Sequence, residues 1–207
     1  MSLLKPTLQN HPVGIACLFA FTLMWNGFIL VFGITMLSAG VGPQLLCLLP
    51  FVTVGVLLLA GCGWVIWSGI SKGLNLDKPE VVVSTSRLRV GEAFSFTYRQ
   101  RFKRAVTTNG VTIQLLLRET AIYRRGTDTH TDTHDKVIQE FQHFGKRYES
   151  GEAFYDQRTL QIPPNGMHTF AAQRNKVQWF VKTELKLAGW PDVTELYELT
   201  VVPERML

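Results

Sequence analysis

The polar segment at residues 128–135 reads Asp-Thr-His-Thr-Asp-Thr-His-Asp and holds the side chains best suited to chemistry. In an extended chain, successive side chains point to opposite faces, so Asp128, His130, Asp132 and His134 would share one face. Imidazoles with carboxylates form a donor set for zinc or a non-haem metal. Side chains two residues apart on a strand are about 7 Å apart, so one ion could hardly take more than two of them. The segment is therefore interpreted in three ways: a metal site, a partner-binding loop and a solvated turn.

No other part of the sequence presents a catalytic arrangement. The three cysteines, Cys17, Cys47 and Cys62, all lie in the apolar N-terminal part of the chain, which excludes a Cys–His pair or a thiolate metal site elsewhere. His143 and His168 are isolated in the sequence, and no Gly-rich phosphate loop precedes a helix. The sequence predicts a protein that is not an enzyme, that uses no cofactor and that has no small-molecule substrate identifiable from its motifs.

Charge is divided sharply along the chain. Residues 7–71 contain no Lys, Arg, Asp or Glu, whereas all 16 Asp and Glu and all Lys and Arg except Lys5 come later. The C-terminal part is therefore only mildly basic, and its charges are mixed in sign. Nucleic-acid-binding domains usually concentrate Lys and Arg on one face, so no nucleic-acid partner is expected.

The uncharged part contains two long apolar runs. Residues 13–37 and 45–71 are each long enough to cross a bilayer core of about 30 Å as a helix. Residues 38–44, rich in Gly and containing Pro43, form a short connecting loop, which makes the two helices antiparallel neighbours. The sequence predicts an N-terminal tail at residues 1–12, a transmembrane hairpin in contact with the lipid bilayer, and a linker at residues 72–79.

Positive charges near the ends of the apolar runs predict the orientation. Lys5 precedes the first run; Lys72, Lys78, Arg87 and Arg89 follow the second; the loop between the runs is uncharged. Cytoplasmic flanks carry an excess of Lys and Arg. Both termini and the C-terminal domain are therefore expected in the cytoplasm, and the resemblance given below implies a bacterial inner membrane.

Small and polar residues in the apolar runs predict where helices touch. Small side chains let helix backbones approach closely in a membrane. Asn26 lies near the middle of the first run, where an unpaired amide is costly, so it should form a hydrogen bond within the hairpin or with another subunit. The predicted packing or partner-contact residues are Asn26, Gly27, Gly33, Gly55, Cys62 and Gly69.

After Pro79 the periodicity of the sequence changes to two. Alternating apolar and polar residues, as at residues 94–98 and 111–117, are typical of half-buried strands. About seven such strands, separated by turn residues such as those at 109–110, predict an all-β antiparallel sandwich over residues 80–203. A small barrel is the alternative, and residues 204–207 form a C-terminal tail. Trp190 and Asp192, in a predicted loop, are candidates for a partner-binding loop; Trp190 could equally cap the core.

The second half of this domain resembles an arrestin-like sandwich. The resemblance is carried by the Ile-Pro step at residues 162–163, the aromatic residues before a β-branched residue at 177–181, the Trp-Pro-Asp at 190–192 and the final Val-Val-Pro at 201–203. The stretch at residues 123–129 also resembles bacterial membrane proteins of unknown function that carry such a sandwich beside transmembrane helices. The resemblance covers residues 79–203 and implies a binding or scaffolding module.

These features predict a non-catalytic, membrane-anchored β-sandwich that serves as an accessory, scaffold or assembly subunit of a larger membrane complex. Other membrane subunits are the expected partners. Two alternatives stay open: a metal-dependent enzyme or sensor that uses the Asp and His residues at 128–134, and a module that binds a sugar or a lipid.

Overall fold

A computed structural model describes residues 2–7, 12–40, 43–85 and 87–203. The chain divides into two compact units, residues 10–71 and a second unit made of Met1–Gln9 with Lys72–Leu207. The predicted C-terminal tail at residues 204–207 lies outside the described residues, as do residues 41 and 42 of the predicted loop.

The first unit is helical. Helix α1 spans Pro12–Ser38, a short 3-10 helix spans Pro43–Leu48, and helix α2 spans Leu49–Asn75, so α2 continues into the region predicted as a linker. Both helices are long and apolar enough to cross a membrane, by length and composition. Only 6% and 11% of the residues in their most apolar windows are buried, and many large apolar side chains of both helices are exposed.

The described residues of the second unit form eleven strands in two open sheets of antiparallel pairs, with one parallel pair between β3 and β11. The strands are β1 Ser2–Leu4, β2 Glu80–Val83, β3 Arg87–Arg89, β4 Ala93–Arg101, β5 Val106–Arg125, β6 Asp128–Phe144, β7 Arg147–Tyr148, β8 Ala153–Gln161, β9 Phe170–Ala171, β10 Asn175–Leu187 and β11 Val193–Val202. The smaller sheet has the order β1-β2-β4-β8, and the larger has the order β3-β11-β10-β5-β6, with β7 on β5 and β9 on β10.

One apolar core lies between the two sheets. It takes Phe96 and Leu160 from the smaller sheet and Ile113, Trp179 and Tyr197 from the larger, all without exposed surface. Each of these residues occupies an alternate position of its strand, as half-buried strands require. The domain is thus a β-sandwich, and the barrel alternative is wrong for the described strands.

Residues 2–7 are part of this sandwich, which corrects the prediction of a tail for these residues, whereas residue 1 and residues 8–11 lie outside the described part of the chain. Strand β1 pairs with residues 81–83 of β2, and Leu4 packs against the core. The backbone N–H of Thr7 then donates to the carbonyl oxygen of Leu196, on the other sheet, at 2.7 Å. A three-residue strand is too short for its periodicity to be recognised in the sequence, because an alternation of apolar and polar residues over three positions often arises by chance.

Strands β5 and β6 form a long hairpin that extends past the core. Their pairing runs from Gly110 opposite Phe144 to Arg125 opposite Asp128, with one register shift at Ile138. Past Arg118 the side chains of both strands are largely exposed, and residues 119–135 are called the polar ribbon below. The turn predicted at residues 109–110 is wrong, since Gly110 lies within β5, where a Cβ would be 3.1 Å from the carbonyl oxygen of His143.

Candidate functional site

The four predicted metal ligands lie in a row on the polar ribbon. Strand β6 is extended through this segment, and the turn is confined to Gly126 and Thr127, so the solvated-turn interpretation is corrected. Because the four positions alternate along one strand, all four side chains project from one face of the ribbon. Across the hairpin, Asp128 faces Arg125, His130 faces Tyr123, Asp132 faces Ala121 and His134 faces Glu119.

The row does not converge on one point. Among the described residues, no three His, Cys, Asp or Glu side chains come close enough together to hold a metal ion. Asp132 already accepts a hydrogen bond from the Tyr123 hydroxyl at 2.9 Å, and this bond raises the pKa of Tyr123. The Tyr123 ring also stacks on His130, with ring centroids 5.7 Å apart. The metal-dependent alternative therefore draws no support from this geometry.

A groove lies beside the ribbon on the same face. It has a volume of about 530 Å³ and is open to solvent. The groove offers carboxylates, an imidazole, an ammonium group and three apolar side chains. Its lining combines ribbon residues with the start of β10 and the loop before β9, including Glu119, Asp132, His134, Met167, Lys176 and Val177.

Buried Trp179 holds one wall of this groove in place. Its indole N–H donates to the carbonyl oxygen of Met167 at 2.8 Å, which positions the loop that carries Met167. Met167 and Lys176 were not predicted as site residues, because they come next to the ribbon only through strand pairing between β5 and β10.

The opposite face of the larger sheet carries an ion pair over a small apolar cluster. Arg118 donates from Nε and Nη2 to the two carboxylate oxygens of Asp135, each at 2.7 Å. Its guanidinium lies 5.1 Å from the centre of the Phe180 ring, and Phe180 is clustered with buried Leu116 and Leu196. The hydrogen bonds from Arg118 hold the pKa of Asp135 below its ordinary value.

A second ion-paired group joins the open edges of the two sheets. Asp156, on β8 and almost fully buried, lies 2.9 Å from Nε2 of His143 on β6 and 3.1 Å from Nε of Arg158. The His143 ring also meets the Phe154 ring edge-on, with centroids 5.1 Å apart. His143, isolated in the sequence, is therefore part of a contact that ties β6 to β8. These two positions come together only in the folded sandwich.

Within the helical unit, several polar contacts join the two helices, among them a hydrogen bond from Nε1 of Trp25 to the carbonyl oxygen of Phe51 at 3.1 Å. Asn26 donates from Nδ2 to the carbonyl oxygens of Thr22, at 2.9 Å, and Gly55, at 3.4 Å. A Cβ on Gly55 would lie 2.6 Å from Oδ1 of Asn26, so glycine is what permits this approach. Thr22, which the sequence did not single out, lies 3.3 Å (Oγ1 to Sγ) from buried Cys62.

The remaining predicted small residues lie away from this contact. A Cβ built on Gly27, Gly33 or Gly69 would meet no atom within 4 Å. Of the predicted set, Asn26, Gly55 and Cys62 are at the described helix contact, whereas a partner contact at Gly27, Gly33 and Gly69 stays a prediction.

Trp190 and Asp192 differ in their surroundings. Trp190 is half-buried and packs against the sandwich core, whereas Asp192 is exposed in the same turn. The capping interpretation of Trp190 therefore fits better than that of a freely exposed partner anchor.

Comparisons with known proteins add one finding on the fold. No protein-family model and no curated protein matches the chain. Among solved structures, it is similar to the crystal structure of Spo0M, a sporulation control protein from Bacillus subtilis, with 18% sequence identity and a TM-score of 0.48. The match covers 60% of this chain and 48% of Spo0M, so this chain spans about half of that protein's length.

Proposed function

We propose that the protein is a non-catalytic, arrestin-like β-sandwich anchored in a membrane by its helical hairpin. In this proposal it serves as an accessory, scaffold or assembly subunit of a larger membrane complex, with the sandwich and both termini in the cytoplasm. The observation that carries the proposal is the large number of exposed apolar side chains on both helices, few of whose residues are buried.

Such a surface is unfavourable in water. Phe28 and Leu57 are 68% and 67% exposed. Each large apolar side chain left in water forgoes about 1.5–3 kcal/mol of burial free energy. Helices satisfy their own backbone hydrogen bonds and are therefore the form in which a chain crosses lipid. A bilayer or the helices of other subunits would cover this surface.

The N-terminal strand supports the proposed topology. Residues 2–7 and residues 80–203 belong to one sandwich, so the chain leaves this unit before α1 and returns to it after α2. A membrane segment with both ends in one folded unit must cross an even number of times. Two crossings by α1 and α2 meet this requirement.

Membrane insertion and orientation can be tested with one variant. Exposed Tyr155 on β8 is replaced by cysteine (Tyr155→Cys) in the full chain, and cells are treated with a membrane-impermeant maleimide before and after lysis. We expect the protein to stay in the membrane pellet at alkaline pH and the introduced thiol to react only after lysis. The parent chain, whose cysteines are all in the helical unit, is the background control. Release at alkaline pH, or labelling in intact cells, would contradict the proposed anchor or orientation respectively.

The subunit role calls for a separate experiment. Gly27 and Gly69 have open space around them, so another helix could approach closely there. In mild detergent, we expect the tagged chain to retain a partner in constant stoichiometry, and Gly27→Leu or Gly69→Leu to reduce that partner. Gly61→Leu, at an equally open glycine outside the predicted set, is the matched control. A chain that purifies alone, or a partner retained equally by all variants, counts against the proposed role.

A further inference from the structure

The outer edge of the polar ribbon is unpaired in the described part of the chain. Strand β6 forms backbone pairs with β5 alone, and over residues 128–135 its other edge faces no described strand. Exposed edges are usually protected by Lys, Pro or a bulge. Residues 128–135 contain no Lys, Arg or Pro, and the irregularity at Ile138 lies beyond them. The edge is therefore competent to accept another strand.

The sequence along this edge is complementary to itself. If a second copy runs antiparallel with Thr131 opposite Thr131, then Asp128 lies opposite His134 and His130 lies opposite Asp132. The same register places residue 129 opposite residue 133, both threonines, on the other face of the ribbon. Every cross-strand pair in the seven residues is thus an acid with an imidazole or a threonine with a threonine, both of which stabilise paired strands.

We propose that two copies of this chain pair through this edge, with a two-fold axis at Thr131 perpendicular to the sheet. A two-fold axis in this direction keeps the Asp and His face of both copies on the same side, so that the pairs above can form. Four Asp–His contacts and three threonine contacts follow from this register, and the paired backbones also exchange ladder hydrogen bonds.

Other registers lose this complementarity. Moving the axis to His130 places Asp128 opposite Asp132 and His130 opposite its own copy, and moving it to Asp132 places Asp132 opposite Asp132. Like charges directly opposite destabilise paired strands. A shift by one residue would bring the Asp and His face of one copy against the threonine face of the other. An axis at Thr129 or Thr133 keeps two Asp–His contacts within residues 128–134, against four with the axis at Thr131, so the charge pattern favours the register at Thr131.

Charged groups of the same chain surround the row of Asp and His side chains. The charged groups around the two imidazoles of each copy are mixed in sign, and the register at Thr131 adds a carboxylate of the second copy opposite each ring. Arg125 faces Asp128 from across the hairpin and lies at the end of the row. The groups facing His130 are Asp128 and Asp132, with the Tyr123 hydroxyl on β5; those facing His134 are Asp132 and Lys136, with Glu119 on β5 and Lys176 on β10.

Cysteine cross-linking in the full chain tests the register. Thr131→Cys should form a disulfide-linked dimer under mild oxidation, since directly opposite residues have Cα atoms about 4.5–5.5 Å apart, within the range of a disulfide. Thr129→Cys alone should not, because the two copies of this residue would be roughly 13 Å apart. A mixture of Thr129→Cys and Thr133→Cys should cross-link with each other. The parent chain measures the background cross-linking through the native cysteines, which are all in the helical unit.

Reciprocal charge variants test the pairing chemistry. The double variant Asp128→Lys with Asp132→Lys, and the double variant His130→Asp with His134→Asp, should each lose self-association by at least about tenfold. The first removes the carboxylate opposite each imidazole, and the second places carboxylates opposite carboxylates. Mixed together, they should form a heterodimer, since every altered position then faces the opposite charge. Unchanged thermal unfolding of each variant confirms that the ribbon substitutions leave the sandwich folded.

The outcomes separate this proposal from its competitors. Equal cross-linking of Thr131→Cys and Thr129→Cys, or a mixture of charge variants that stays monomeric, would overturn it. A monomeric chain that gains a strand only from an added polypeptide would also overturn it, and would show that the edge serves a different protein. Self-association in detergent does not depend on the proposed membrane complex, so failure of one proposal leaves the other standing.

Discussion

Substitution of Gly55 by Ala should loosen the helical hairpin. The added Cβ would lie 2.6 Å from Oδ1 of Asn26, so the amide must rotate and its hydrogen bond to the carbonyl oxygen of residue 55 is lost. Side-chain hydrogen bonds between membrane helices contribute about 0.6–1.7 kcal/mol, and overpacking adds about 1 kcal/mol. We therefore expect a loss near 2 kcal/mol, or roughly thirtyfold in the ratio of packed to separated helices.

A disulfide between the two helices provides the assay. Thr22 and Cys62 approach to 3.3 Å between Oγ1 and Sγ, so Thr22→Cys should oxidise readily with native Cys62. In a chain with the other two cysteines replaced by Ser, Gly55→Ala should slow this oxidation markedly. Gly63→Ala is the matched control, because a Cβ there meets no atom within 4 Å and the gain in helix propensity is the same.

A double variant separates the clash from other effects of the substitution. Asn26→Ala alone loses the hydrogen bond, but it also removes the atom against which the new Cβ would press. The double variant Asn26→Ala with Gly55→Ala should therefore be less destabilised than the sum of the two single variants. Oxidation at equal rates in the Gly55→Ala and Gly63→Ala chains would refute this account of the contact.

Three further predictions concern the sandwich. Trp179→Phe loses the hydrogen bond to the Met167 carbonyl oxygen and buried volume, and should lower the free energy of urea unfolding by about 2 kcal/mol. Asp135→Asn should cost under about 1 kcal/mol at neutral pH, because the pair with Arg118 is partly exposed. The hydrogen bonds from Arg118 lower the pKa of Asp135 in the folded state, so the stability difference between the parent and Asp135→Asn is present above pH 3.8, the ordinary pKa of the group. It should vanish as the pH falls through the lower pKa of the folded state, which acid-unfolding curves of both proteins will measure. Gly126 has φ +69°, so Gly126→Ala should destabilise the ribbon turn by about 1 kcal/mol, measured by hydrogen exchange of β6 amides.

Local pattern was enough to predict the elements whose side chains alternate strictly. Phe94, Phe96 and Tyr98 are all buried on β4, and Ile113 and Leu115 are buried on β5, as their period of two indicates. The two apolar helices follow equally directly from composition. In each case the element is predictable because the removal of side chains from water, on one face or along the whole element, requires apolar residues at positions that are close together in the sequence.

Features that depend on distant residues could not be predicted in the same way. Asp156 and His143 are on different sheets, and nothing near either residue indicates the other. The groove beside the ribbon requires the register between β5 and β10, which is determined by the whole core. The polar ribbon shows a third difficulty, since its alternation of Asp, His and Thr is clear but carries no apolar face to indicate a strand.

Pairing of β1 with β2 makes the order of folding events significant. Strand β1 is made first, and residues 81–83, its partners, follow only after both helices. Closing a flexible loop of roughly 80 residues costs about 4 kcal/mol in chain entropy. The antiparallel helix pair shortens the effective loop to roughly ten residues and reduces that cost to about 2 kcal/mol. The hydrogen bond between Asn26 and Gly55 therefore favours the pairing of β1 with β2 by holding the helix pair together. A variant that loosens this helix contact should slow the docking of β1, although no residue of the sandwich is changed.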